Sequence, residues 1–258
     1  MIQIKSEEEI EGMRATCRLA AETLVMIESH VKPGVTTLDL NDICHDYIIS
    51  HGAQPSPLNY RGFPKSICTS VNQQICHGIP SERVIREGDI INIDITTYLN
   101  GFHGDTSKTF HVGAPTPKGE KVRRVALSCL EAGIAVALPG TLLRVVGATI
   151  EALAKKNRCS VVREYCGHGI GREFHEEPAV LHYEDKRDQV MIRPGMIFTI
   201  EPMINLGKPA IKHMPDNWTV VTKDHSLSAQ FEHTILITEA GNEVLTDLAG
   251  TKTPLKPS

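Results

Sequence analysis

Arg86-Glu87-Gly88-Asp89-Ile90-Ile91-Asn92-Ile93-Asp94 and Arg193-Pro194-Gly195-Met196-Ile197-Phe198-Thr199-Ile200-Glu201 carry one pattern, R-x-G-x-I-x-x-I-[D/E], at an offset of 107 residues. Each copy reads as a glycine turn followed by an apolar strand, and each strand delivers a carboxylate at the same point. An acid at the end of a buried run is costly unless its charge is compensated. Two such acids in matched positions point to a shared partner at a pseudo-symmetric centre.

The repetition extends outward from these strands. Ser6-Glu7-Glu8-Glu9 is a capping-box start, and Ile10, Met13, Cys17, Ala20, Leu24 and Ile27 then step by three and four along one helix face. Pro33-Gly34 ends that helix, and Thr37 opens a second with Leu40, Ile43 and Tyr47 expected to face inward. Val122, Val125, Cys129, Ala132 and Val136 mark a third helix, stopped by Pro139-Gly140. Leu143, Val146, Ile150 and Leu153 mark a fourth. The Pro-Gly stops lie 106 residues apart, nearly the strand offset. Pro-Gly and Gly are common punctuation, yet the same order of elements in both halves favours duplication. Neither half can bury its strands alone. The expected fold is one α/β domain of the α+β type over residues 1–250, with half-repeats at 6–112 and 117–240. Helices would cover a mainly antiparallel sheet, and residues 251–258 would form a loose polar tail.

The chain has 258 residues, 41% of them hydrophobic, enough for a substantial core, and a net charge of −4. That balance gives no electrostatic case for binding nucleic acid or an anionic membrane. The first residues lack the basic-then-apolar layout of a signal peptide, and no apolar run approaches a membrane span. Seven cysteines without a C-x-x-C favour reduced thiols in a cytoplasmic compartment over a disulfide framework or a zinc knuckle.

Asn100-Gly101, between β-rich runs, is a strong hairpin signal, because a type I′ turn needs positive φ at both central residues. A two-residue loop pairs Leu99 with Phe102 and therefore Thr96 with Asp105. Thr96 shares a face with Asp94. Asp94 and Asp105 thus become diagonal neighbours, roughly 7–8 Å apart at the backbone. Two solvated acids on an exposed face is the alternative, but Asp94 follows Ile-Ile-Asn-Ile and Asp105 is flanked by small residues. His103 is read as off the Asp105 face and structural. The second half offers Glu201, Glu232, and His168 walled by glycines in Gly167-His168-Gly169. Each is weak alone, since a lone histidine is more often structural. Four converging acids without a cation would repel by roughly 4 kcal/mol per pair at ~4 Å, even at an effective dielectric of about 20. Two divalent ions would neutralise them, and oxygen ligands with one imidazole suit Mn, Fe or Co.

Val71-Asn72-Gln73-Gln74-Ile75-Cys76-His77-Gly78-Ile79-Pro80, Gly101-Phe102-His103-Gly104-Asp105-Thr106-Ser107, Gly167-His168-Gly169-Ile170-Gly171, Phe174-His175-Glu176-Glu177-Pro178, Thr199-Ile200-Glu201-Pro202 and Ser228-Ala229-Gln230-Phe231-Glu232-His233-Thr234 resemble segments of the type 1 methionine aminopeptidases. The likeness runs in order over residues 5–245. It implies the pita-bread fold, a pseudo-two-fold curved sheet covered by helices, and hydrolytic removal of N-terminal methionine from nascent polypeptides with a small second residue. A hydroxide bridging two metals would be the nucleophile.

By the same resemblance Asp94 chelates one metal, His168 and Glu201 bind the other, and Asp105 and Glu232 bridge both. Glu201 is the expected proton shuttle, His77 holds the peptide nitrogen, and His175 stabilises the oxyanion. Tyr60, Phe63, Cys68, Phe174 and Trp218 are the expected methionine pocket, together with His77 and His175. A monovalent Na or K ion would sit near Asn72, Gln74 and Ser228. Pro57, Arg61 and Phe63 stand where relatives often have cysteine, histidine and tyrosine. The expected partners are Met-peptides and nascent chains, with a transient ribosome contact through the catalytic domain of a monomer. Two other readings share the fold. A prolidase or proline-type aminopeptidase typically adds an N-terminal domain, whereas here a helix begins near Ser6. A metal-free pita-bread binding module would have lost the ligands.

Overall fold

A computed structural model describes residues 1–248, so the expected tail at 251–258 lies outside the described residues. Four α-helices are formed among them: α1 (Glu7–Glu28), α2 (Thr37–Ser50), α3 (Pro117–Val136) and α4 (Arg144–Lys156). Ser6 caps α1, accepting from the Glu9 amide while the Glu9 carboxylate accepts from Ser6. Ile10, Met13, Cys17, Ala20, Leu24 and Ile27 are all buried on its inner face. On α2, capped by Thr36, the buried stripe is Leu40, Cys44 and Ile48, rather than the expected Leu40, Ile43 and Tyr47. Ile43 and Tyr47 pack only partly against the core. Both stripes satisfy helical spacing, and the packing of α2 beside α1 selects between them. No helix among the described residues is long and apolar enough to cross a membrane.

Among the described residues, nine strands form the main sheet. Its backbone order is Gln54–Pro55, Ile90–Leu99, Phe102–His111, Glu232–Thr238, Ile197–Ile200, Gly167–Gly169 and Glu176–Val180. Cys68–Val71 and Gly241–Val244 join it at Ile90–Leu99 and Glu232–Thr238. All of these pairings are antiparallel. Both copies of the repeated phrase turn on a glycine in the left-handed region, Gly88 at φ 85° and Gly195 at φ 83°. A side chain there would be strained.

The hairpin register is the one counted from Asn100-Gly101: Leu99 faces Phe102, Thr96 faces Asp105 and Asp94 faces Ser107. The first-half hairpin meets the second half at Phe102–His111, where Glu232 faces Ser107. Cys68 in turn faces Asp94. Cys68, Asp94, Ser107 and Glu232 therefore form one row across four strands, and residues in one row point to one face. The opposite face is covered by helices. At Gly104 an added Cβ would stand 2.6 Å from the Cys17 amide nitrogen, so only glycine lets α1 approach this closely. One apolar cluster lies under the first half and another under the second. A third, containing Met13, Cys17, Phe102, Ile170 and Leu236, joins them.

Candidate metal centre

Five donor side chains meet where the halves join. Asp94 and Asp105 come from the hairpin, Glu232 and Glu201 from the adjacent strand ends, and His168 from the glycine-walled strand. One ligand atom each from Asp105, His168 and Glu232 lies within 4.8 Å of the others. His168 Nε2 is 3.7 Å from Asp105 Oδ2 and 3.7 Å from Glu201 Oε1. The Asp94 carboxyl touches that of Asp105. The glycines beside His168 are sterically required, since a Cβ on Gly167 would meet the Thr199 carbonyl at 2.3 Å and one on Gly169 the Glu177 carbonyl at 2.2 Å.

Supporting hydrogen bonds orient these groups. His168 Nδ1 is 2.9 Å from the Gly169 carbonyl. A carbonyl only accepts, so Nδ1 carries the proton and Nε2 presents a lone pair to the carboxylates. Thr199 Oγ1 accepts from the His168 amide and donates to Glu201 Oε1 at 2.8 Å. Gln230 Nε2 donates to Glu201 Oε2 at 3.1 Å, and the Glu201 amide donates to His182 Nε2 at 3.1 Å. Thr96 donates to Asp105 Oδ1 at 2.8 Å.

The electrostatics call for cations. Burial, reinforced by the neighbouring carboxylates, pushes Asp105 and Glu232 well above the usual carboxyl range. Burial likewise pushes Asp94 up to about 7 and Glu201 to about 8. Glu232 Oε1 is buried without a hydrogen-bond partner among the described residues. Among the described residues lining the cavity the permanent positive charge is Arg61 alone. An orphaned carboxylate oxygen, four crowded acids and an imidazole lone pair are the donor set of a divalent-metal site.

These groups floor a cavity of about 330 Å³. Its walls include Tyr60, Phe63, Cys68, His77, Phe174, His175 and Trp218, every residue expected for the pocket. Phe63 meets Trp218 edge-on at 5.1 Å and is 2% exposed. A phenylalanine has no hydroxyl to satisfy at that depth. The Tyr60 hydroxyl is 3.0 Å from His175 Nδ1, and the His175 and His168 rings lie 4.2 Å apart. Burial holds His77 down to about 4, and burial with the adjoining His168 and Arg61 holds His175 at about 3, so both are neutral near pH 7.

Comparison with known proteins agrees with this geometry. Residues 11–239 match metallopeptidase family M24. The methionine aminopeptidase of Escherichia coli (strain K12) is 54% identical over 95% of this chain and 94% of its own length. That of Salmonella typhimurium is 55% identical over the same shares. The chain belongs to the methionine aminopeptidases of family M24. The methionine aminopeptidase structure from Rickettsia prowazekii superposes with a TM-score of 0.94 at 50% identity, covering 96% of this chain and 100% of that one. The Xaa-Pro dipeptidase of Bacillus anthracis shares the fold at a TM-score of 0.73 and 24% identity, and the match covers 63% of that longer chain. The fold is therefore the pita-bread fold of M24, and within it the likeness favours a methionine aminopeptidase over a proline-specific relative.

Other residues of the site carry weaker signals in the sequence. Thr199, Gln230 and Thr96 support the acids, and each lies two residues from one on the same strand or its continuation. The period-two rule applied to the neighbours of each acid would have found them. Tyr165, Cys166 and Met203 line the cavity, and the first two directly precede Gly167. His182 carries no local signal. The expectation that His103 points away is corrected: residues 103 and 105 differ by two and share a face. His103 stacks on Phe174 at 5.4 Å and pairs with Ser56 at 2.8 Å. At the expected monovalent-cation site, the Asn72 carbonyl accepts from the Ser228 amide at 2.9 Å. The Gln74 side chain accepts from the Val71 amide, and Ser228 Oγ is buried without a partner among the described residues. All seven cysteines are free, and all but Cys166 are buried.

Proposed function

We propose that the chain hydrolyses the bond after an N-terminal methionine in nascent polypeptides, preferring a small second residue, with two divalent metal ions held by Asp94, Asp105, His168, Glu201 and Glu232. The observation that carries this reading is the convergence of five donor groups on the floor of a cavity with aromatic walls. Two divalent ions bound there would supply Lewis acidity and a strongly acidified water. Mn, Fe and Co all suit the donor set.

The ions, when bound, would supply a Lewis-acidic partner for the free α-amine of a peptide, which restricts cleavage to the first residue. The chain's own groups do the remaining work. Tyr60, Phe63, Phe174 and Trp218 present apolar surface to the methionine side chain, with Cys68 beside them. Glu201, bonded to Thr199 and Gln230, accepts a proton from the attacking water and delivers it to the departing amine. His175, neutral and with Nδ1 occupied by the Tyr60 hydroxyl, directs Nε2 at the developing oxyanion. His77 holds the peptide nitrogen. A monovalent cation on the main chain of Asn72, Gln74 and Ser228 would stiffen the link between the halves. We further assign residues 1–250 to one catalytic domain, acting as a cytoplasmic monomer that contacts the ribosome transiently.

Met-Ala-Ser, Met-Lys-Ser and N-acetyl-Met-Ala-Ser, incubated with the metal-loaded protein, test the substrate claim. Methionine release from the first peptide alone is expected. Release from the acetylated peptide would refute recognition of the free amine, and equal release from the first two would refute selectivity for a small second residue.

A further inference from the structure

Lys5 lies ahead of α1, far from the metal floor in sequence, yet its side chain is only 4% exposed. Its ammonium donates to Glu176 Oε2 at 2.5 Å, and the Glu176 side chain is 11% exposed. The slot for this pair depends on Gly171: a Cβ there would stand 2.3 Å from Lys5 Nζ and 2.7 Å from Glu176 Oε1. The other oxygen of Glu176 accepts from the Glu173 amide at 3.3 Å. The Gly171 carbonyl accepts from the His103 amide at 2.8 Å. Lys5 is itself fixed, its amide donating to the Gly195 carbonyl at 2.8 Å. The ion pair therefore anchors the Glu176 end of the segment 171–176 and packs against Gly171 at its other end, and the segment carries Phe174 and His175 into the cavity.

We propose that Lys5 is a positioning residue for His175, clamping the segment 171–176 through Glu176 so that the imidazole meets the substrate in one orientation. A buried ion pair is a poor source of stability compared with apolar side chains of the same volume, whereas it fixes geometry through directed bonds. Placed between the chain's start and the histidine loop, its effect falls on orientation. The inference rests on the reading of His175 as a substrate-facing group.

The test compares Lys5→Met, Glu176→Gln, their double variant, His175→Ala and Lys108→Met in methionine release from Met-Ala-Ser, with metal content and amide exchange followed in the same samples. Lys108 makes an exposed pair with Glu28 and serves as the control. We expect Lys5→Met and Glu176→Gln each to lower kcat about tenfold with KM within about twofold. The double variant should fall no further than the worse single one. Metal content should be unchanged, amide exchange over residues 171–176 should rise, and Lys108→Met should match the parent. If kcat and exchange in Lys5→Met stay at the parent values, or only the melting temperature falls, the clamp is refuted. If His175→Ala leaves kcat unchanged while exchange still responds to Lys5→Met, the His175 reading fails and the clamp survives as a purely structural tie.

Discussion

At the scale of single residues, the site is a set of acids that do not tolerate one another without metal. Asp94 is pushed up to about 7 and Glu201 to about 8, and Asp105 and Glu232 lie higher than an ordinary carboxyl. A raised carboxyl holds its proton to higher pH, so near pH 6 the metal-free cluster is largely protonated and a divalent ion must expel those protons to bind. Titrating Mn into chelator-stripped protein, by calorimetry in buffers of different ionisation enthalpy, should report proton release that is larger at pH 6 than at pH 9. Equal release at both values would mean that the acids are ordinary. Asp94, Asp105 and Glu201 were legible from the repeated phrase and the hairpin count, whereas His168 and Glu232, weak signals alone, joined them through the resemblance. Thr199 and Gln230 are legible only through their two-residue spacing from Glu201 and Glu232. His182 is not legible, because its contact with the Glu201 amide joins segments that nothing in the sequence brings together.

At the scale of elements, the hairpin sets the site. Asn100 at φ 52° and Gly101 at φ 88° make the two-residue turn that fixes Thr96 opposite Asp105. A slip of one residue would send Asp94 or Asp105 to the helix-covered face. Gly101→Val should therefore destabilise the protein by about 1–2 kcal/mol, the cost of a left-handed conformation for a side chain, measured by urea unfolding of the metal-free form. An unchanged midpoint would show that the turn does not need glycine. This register was readable because it depends on a two-residue count. The inward stripe of α2 was not, since Leu40 with Ile43 and Tyr47 fits helical spacing as well as Leu40 with Cys44 and Ile48. Only packing against α1 decides between them. The parity of His103 was available in the same count that placed Asp105.

At the scale of the molecule, neither half owns the centre: Asp94 and Asp105 belong to the first, His168, Glu201 and Glu232 to the second. The repeated phrase foretold this division, and the seam between Phe102–His111 and Glu232–Thr238 realises it. Burial also leaves several histidines neutral, His182 at about 3 and His77 and His233 at about 4. Their folded pKa values lie below the unfolded value of about 6.5. The stability they contribute is thus complete above about pH 6.5 and lost as pH falls toward 4. In metal-free protein the raised carboxyls act in the opposite sense, gaining stability as pH falls. Melting temperature followed from pH 8 to 4 should drop more steeply for the metal-loaded form than for the stripped form. Parallel curves would contradict the assignment of the four acids to the metal floor.

In the proposed function, this converging set of acids and one histidine makes methionine removal depend on metal. Methionine release from Met-Ala-Ser, followed while Mn, Fe or Co is returned to chelator-stripped protein, tests it most directly. No release is expected before metal is added, and restored release with at least one of the three. Release by the fully stripped protein, or none with any of the metals, would contradict it.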